Sequence, residues 1–224
     1  MIALPDPSPV FSKYETLRDS VDALFLKLSL EYADCVKCHE GCGDCCHAVF
    51  DLSLVEAMYL NRKFQDSFNV GPERSEFLQL AATADRKIHR FKRKILKEEQ
   101  AGRDLGGIMA EAARFRQRCP LLDQNDRCRL YAFRPITCRI YGVPANIGGQ
   151  AHSCGKSAFK PGEQYPTVSL ETINRRLAEL SLELARLLGS PYVLHEVFVP
   201  LPMALLGAYD HEYFGLEASG RNGK

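Results

Sequence analysis

The stretch CVKCHEGCGDCCH, residues 35–47, puts five of the chain's nine cysteines into its first twelve positions, with His39 inside the run and His47 closing it. Thiols separated by two or three residues can converge on one centre, as tetrahedral zinc or an iron–sulfur cluster requires. The other four, Cys119, Cys128, Cys138 and Cys154, follow much later in turn-rich sequence. This pattern predicts a chain whose middle is organised by cysteine-bound metal, with mostly helix around irregular cysteine-rich loops.

The composition agrees. A chain of 224 residues, 46% hydrophobic and 25% charged, can bury a core without covalent staples. With 29 basic against 28 acidic residues, no field of the whole chain favours nucleic acid or an anionic membrane. MIALPDPSPV has neither the basic nor the apolar part of a signal peptide, and no run is long enough to span a bilayer. A cytoplasmic protein is expected, with no membrane partner. In that reducing setting, clustered cysteines read as metal ligands or redox groups rather than disulfides, and the odd count leaves one over.

Most of the flanking sequence reads as helix. Ser12 with Glu15 forms a capping-box pattern, and Tyr14, Leu17, Val21, Leu24, Leu28 and Tyr32 then recur at helical spacing, which predicts a helix over 13–33. Ser53 with Glu56 repeats the box directly after the cysteine run. Pro72 opens a long amphipathic stretch that Gly102 ends, and a short helix is expected over 107–117. CPLLDQNDRCRLY predicts a small β-hairpin with a cysteine at each end. RPITCRIYGVP is too rich in Pro and Gly for a long element. Ser169 caps a further helix closed by Gly189, YVLHEVFVPLP reads as one strand, and EASGRNGK as a disordered tail. The fold class is therefore mainly α: one domain over 1–224, with a cysteine-cluster region at 35–155 between the first helix and a helical region at 169–215.

Adjacent side chains point to different sides of a helix or strand, so Cys45 and Cys46 are expected to serve different purposes. Either one ligates while the other packs, or each faces its own centre. Eight cysteines would complete two four-thiolate sites, with Cys35 as the spare.

The residues CHEGCGDCCH, the LVEA that follows, CPLLDQNDRCRLYAFRPITCRIYG and Cys154 resemble the YkgJ-type cysteine-cluster (CxxCxxCC) family of zinc- or iron-chelating proteins, over roughly residues 38–155. The resemblance implies Cys38, Cys42, Cys45, Cys46, Cys119, Cys128 and Cys138 as metal ligands, with Cys154 joining them. His39 stands where a strict CxxCxxCC count would place the first cysteine, and Cys38 supplies a thiol at a three-residue gap instead. A similar cluster occurs in flagellin lysine methylases, but a cluster alone does not carry methylation.

Arg134 and Arg139, in the family-like YxxRPxxCR segment, would offset thiolate charge near the ligands, as Arg118, Arg127 and Arg129 also could. Tyr131 and His47 are candidates to hydrogen-bond a sulfur; His39 and His152 are not expected to ligate. RKIHRFKRKILK, residues 86–97, has seven Lys or Arg, yet Ile88, Phe91 and Ile95 give it a core face, so the charges read as a solvated side and nucleic acid is not expected as a partner. The leading function is a cytoplasmic metal-binding protein with an iron–sulfur or zinc cofactor in a structural, redox or metal-handling role. The alternatives are a metal-dependent enzyme that modifies a protein or small molecule, and a zinc-stabilised nucleic-acid-binding module. The sequence names no catalytic residue, substrate or protein partner.

Overall fold

A computed structural model describes residues 3–147 and 149–216 and shows a mainly helical chain. Helix α1 (Ser8–Glu31) starts a turn before the expected position 13 and stops short of 33. Pro9 occupies its first turn, where a missing N–H costs nothing, and Asp6 Oδ1 accepts from the Ser8 N–H and hydroxyl at 3.1 and 2.7 Å. Ser12 and Glu15 are thus interior positions. The Ser12 hydroxyl donates to the Ser8 carbonyl, and Glu15 accepts from the Tyr59 hydroxyl at 2.6 Å.

After the cysteine run come β1 (Asp51–Leu52) and α2 (Leu54–Ser67), whose capping box between Ser53 and Glu56 forms. Helix α2 is buried on two faces. Val55, Met58 and Tyr59 pack in one core cluster with α1, while Ala57, Leu60 and Phe64 pack in another. Helix α3 (Pro72–Gln100) buries Phe77, Ala81, Ala84 and Ile88, all in its first two-thirds. Gly102, at φ +83°, turns the chain into α4 (Leu105–Arg114), which begins two residues before the expected 107 because Asp104 caps it through the Gly107 N–H at 2.8 Å. Just past α4, Phe115 stacks on Phe91 of α3 with centroids 3.9 Å apart.

The 119–128 segment is a tight hairpin-like turn. Leu122 and Cys128 form an antiparallel bridge, and Asp123 Oδ1 accepts from the N–H groups of Asn125 and Arg127. Helix α5 (Ile136–Ile140) is short, as its Pro and Gly neighbours require. Strand β2 (Ala145–Ile147) pairs antiparallel with β3 (Gln150–His152) and parallel with β4 (Val168–Ser169), a small sheet that hydrophobic periodicity did not signal because its strands are two or three residues long. Ser169 caps α6 (Leu170–Leu187), accepting from the Thr172 N–H at 3.3 Å.

The apolar run 192–202 is not one strand. A 3₁₀ turn at Leu194–Glu196 leads to β5 (Val199–Pro200), which pairs antiparallel with β1, and then to α7 (Leu201–Leu206). Pro200 and Pro202 each lack the N–H that a continuing ladder needs, and Pro202 instead fits the first turn of α7. Buried Asn61 of α2 donates to the Ala204 and Gly207 carbonyls at 2.8 and 3.1 Å, satisfying the end of α7. The tail 217–224 lies outside the described residues.

Glu56, only 4% exposed, ties this frame to the cysteine region. Its carboxylate accepts from the Ser53 hydroxyl at 3.0 Å, the Ser53 N–H at 3.4 Å and the Ile136 N–H at 3.0 Å, so one side chain caps α2 and α5 together. Burial nevertheless pushes the carboxyl above its ordinary value. Glu56→Ala orphans buried donors and should cost about 2–3 kcal/mol in urea unfolding, with Glu56→Gln milder because one acceptor oxygen survives. Equal, near-zero losses in both variants would deny the carboxylate this role.

Candidate metal centre

Residues 42–48 lie against the segment before Cys119. The Cys46 carbonyl accepts from the Cys119 N–H at 2.7 Å, the His47 carbonyl from the Gln117 N–H at 3.0 Å, and Ala48 bridges to Arg116. The hairpin-like turn then returns Cys128 towards Cys119, and α5, anchored by Glu56, delivers Cys138. Five cysteines, Cys45, Cys46, Cys119, Cys128 and Cys138, therefore line one cavity of about 40 Å³, together with Arg118 and Arg134. The rest of the wall is largely apolar, including Val49, Phe50, Leu121 and Leu201.

The expected separation of Cys45 and Cys46 is not seen. Their sulfurs are 4.0 Å apart on the wall of the same cavity. The opposite-face rule belongs to extended strands and regular helices, whereas this pair opens a 3₁₀ turn of three residues at the rim. A hydrogen bond between the two favours a thiolate at Cys45 and a proton on Cys46. Burial pushes the Cys119 thiol up to about 12 and holds Cys128 and Cys138 above the ordinary value as well.

Cys38, Cys42 and Cys154 form a second group, outside this cavity. Cys154 Sγ donates to Asp44 Oδ2 at 3.3 Å, and Arg116 holds the other Asp44 oxygen at 2.8 Å while donating to the Tyr141 hydroxyl at 3.2 Å. Burial, followed by the charges of Cys42 and Cys154, raises Cys38 to about 11. A Cβ at Gly142 would overlap the Cys38 sulfur, so the glycine makes room for that thiol. Asp44, Arg116, Tyr141 and Gly142 were not singled out from the sequence. The available signal was position alone: Asp44 precedes the Cys-Cys pair, and Tyr141-Gly142 follow α5.

Cys35 lies apart from both groups. Its carbonyl accepts from the Ala158 N–H at 2.9 Å, beside the edge-to-face pair Tyr32 and Tyr165. His39 Nδ1 pairs with the Glu40 carbonyl and His47 Nδ1 with the Gly43 carbonyl, so His47 braces the turn instead of meeting a sulfur. Tyr131 is 63% exposed, with the Arg134 guanidinium stacked 3.6 Å from its ring centre. Arg139 faces away from the thiols: it is buried against Asp22 and donates to the Ala132 and Arg134 carbonyls at 2.6 and 2.7 Å. Consecutive helical residues diverge by roughly 100°, so a helix that turns Cys138 to the cavity turns Arg139 to α1. Its influence on the centre runs through the loop that carries Arg134.

Among the described residues, no three Cys, His, Asp or Glu side chains already converge as a group able to hold a metal ion. Soft sulfur donors clustered on loops nevertheless fit zinc or iron, and not calcium or magnesium, which take oxygen. Fold and donor set together define a mainly helical, cysteine-rich metal-chelating protein. The chain belongs to the family described as "CxxCxxCC: Putative zinc- or iron-chelating domain", whose model matches residues 37–155, more than half of its length. No curated protein and no solved structure matches it. No helix among the described residues is long and apolar enough to cross a membrane.

Because folding holds most of these thiols protonated, metal must displace protons, and apparent affinity should rise with pH across the neutral range. For the metal-free chain the sign is opposite. An unfolded thiol ionises near 9.0 while folded Cys119 keeps its proton to about 12, so the folded state binds more protons in that window and stability should fall as pH rises through it. Competition titrations against a chromophoric chelator and urea melts at stepped pH check the two slopes; a flat pair would mean that the thiols are already ionised.

Proposed function

We propose that this chain is a cytoplasmic iron–sulfur protein, its cluster held by four of the thiols Cys45, Cys46, Cys119, Cys128 and Cys138. The observation that carries this reading is the cavity. Five thiols and no histidine line one apolar-walled space, one thiol more than a tetrahedral site or a four-thiolate cluster needs. Soft thiolate donors of this kind suit an iron–sulfur cluster. Apolar walls and limited solvent are also among the levers that set a cluster's reduction potential.

When bound, the cluster supplies one-electron chemistry and a covalent tie between loops. The chain's own residues hold it in place. Arg134, kept over the Tyr131 ring, and Arg118, fixed by Asp126 Oδ1 at 3.1 Å and the Asp123 carbonyl, set positive charge against the thiolates. The group of Cys38, Cys42 and Cys154 with Asp44 is read as a separate ligand set beside the first, and Cys35 as a thiol without a metal role. The whole is one domain with a structural and redox centre; the geometry names no catalytic residue.

Anaerobic purification followed by iron, zinc and acid-labile sulfide analysis tests the reading. Iron and sulfide together, with visible absorbance, are expected, and zinc without sulfide would replace the cluster with zinc. Cys138→Ser should lose cluster and bleach the spectrum, whereas Cys35→Ser should keep both metal and absorbance. Chelation should lower the thermal midpoint, since metal bound only by the folded chain adds its binding energy to folding.

A further inference from the structure

The last third of α3 is attached to the rest of the chain less closely than its first turns. No residue of α3 beyond Ile88 is fully buried, and Phe91 finds its partner in Phe115 just after α4. On the side of α3 opposite the buried positions run Arg86, Arg90, Arg93 and Lys97, at steps of four, three and four residues, which is one helix face. All four are exposed. His89 and Lys94 border the same surface. Glu98 is the one carboxylate along it, and it is engaged by Lys94 and Arg103.

A merely solvated helix face does not require this arrangement. Solubility is served equally by opposite charges at i,i+4, which support a helix, whereas like charges there destabilise it. Elsewhere this chain does pair its basic residues: Lys92 with Asp51 at 2.5 Å, Lys94 with Glu111 at 2.7 Å and Arg129 with Glu73 at 2.6 Å. Among the described residues, no ion pair engages Arg86, Arg90, Arg93 or Lys97; Arg86 donates only to the Thr83 hydroxyl at 3.1 Å. A chain with a net charge of +1 has thus gathered unpaired cations into one row.

We propose that this row is a binding face for the phosphate backbone of a nucleic-acid duplex. Three of the four residues are arginines, whose planar forks match phosphate oxygens two at a time. A straight helix presents them at fixed spacing, which suits a repeating polyanion. No aromatic residue lies in the row to stack an unpaired base, so contact is with backbone and independent of sequence. A bilayer is less well served, because no apolar side chain interrupts the row, and membrane-surface helices need an apolar face beside the basic one. The proposal does not depend on which metal the cysteines hold.

The test uses the full-length, anaerobically purified protein and fluorescence anisotropy with a labelled duplex of arbitrary sequence, over a salt series from about 50 mM. Binding should weaken with salt at a log–log slope of about −3 to −4, the value for some four phosphate contacts. Arg90→Gln/Arg93→Gln should reduce that slope by about two and weaken binding by about tenfold or more, while Arg90→Lys/Arg93→Lys retains the slope. Metal content and thermal midpoint of both variants should match the parent, as exposed positions allow. Absence of duplex binding at low salt would overturn the proposal. So would parent-like binding by the Gln variant, preference for single strands, or binding to phosphatidylglycerol vesicles in place of duplex.

Discussion

The Glu56 carboxylate is the interaction on which the cysteine region depends. It caps α2 at Ser53 and α5 at Ile136, joining the most deeply packed helix to the short helix that carries Cys138. A five-residue helix has almost no stability of its own, because nucleation consumes the entropy that so few hydrogen bonds return. Helix α5 persists because Glu56 satisfies its first N–H, Arg139 is fastened to Asp22 of α1, and Ile136 and Ile140 are buried in the core. The position of Cys138 is thus inherited from two long helices. Ionised Glu56 is disfavoured by burial, so the arrangement holds only while its three donors remain aimed at it.

Arg139 and Arg134 show how one segment divides its labour. Arg139 donates to the Ala132 and Arg134 carbonyls, fixing the backbone from which Arg134 reaches the thiol cavity. One arginine is spent on geometry so that its neighbour can be spent on charge. The hairpin-like turn and its exit bury Leu121, Leu122 and Leu130, and burial holds the Cys119 and Cys138 thiols above their ordinary value. A metal held by these thiols would replace their protons with bonds between segments far apart in the sequence, which would shorten the loops left to conformational freedom.

The helices were legible where a local chemical signal met a long apolar period. Ser53 with Glu56, Pro72 with Gly102, and Ser169 with Gly189 each bounded a helix correctly. Ser12 with Glu15 carried the same pattern without the role, because Pro9 and Asp6 offered an earlier start and Glu15 was claimed by Tyr59. The run 192–202 misled because apolar content does not distinguish a strand from a short buried helix, and its prolines were the better guide. Spacing marked the cysteines as a cluster but could not sort them. Which thiols share a cavity depends on the pairing of residues 46–48 with 116–119 and on the placement of α5, both long-range. Asp44, Arg116 and Tyr141 are ordinary polar residues in sequence, and only the fold brings them to Cys154 and to one another.

The two cysteine groups differ in what surrounds them, and that difference bears on what each can do. Cys45, Cys46, Cys119, Cys128 and Cys138 face apolar walls with Arg118 and Arg134 as the nearby cations, so negative charge placed there is poorly screened and its energy responds strongly to the arginines. Cys154 lies among polar groups, Asp44, Arg116 and Tyr141, where an oxygen atom is at hand. Cys45 belongs to the cavity, yet its charge is also felt by Cys38 of the other group. Cys45 is therefore a thiol through which the two cysteine groups are electrostatically linked.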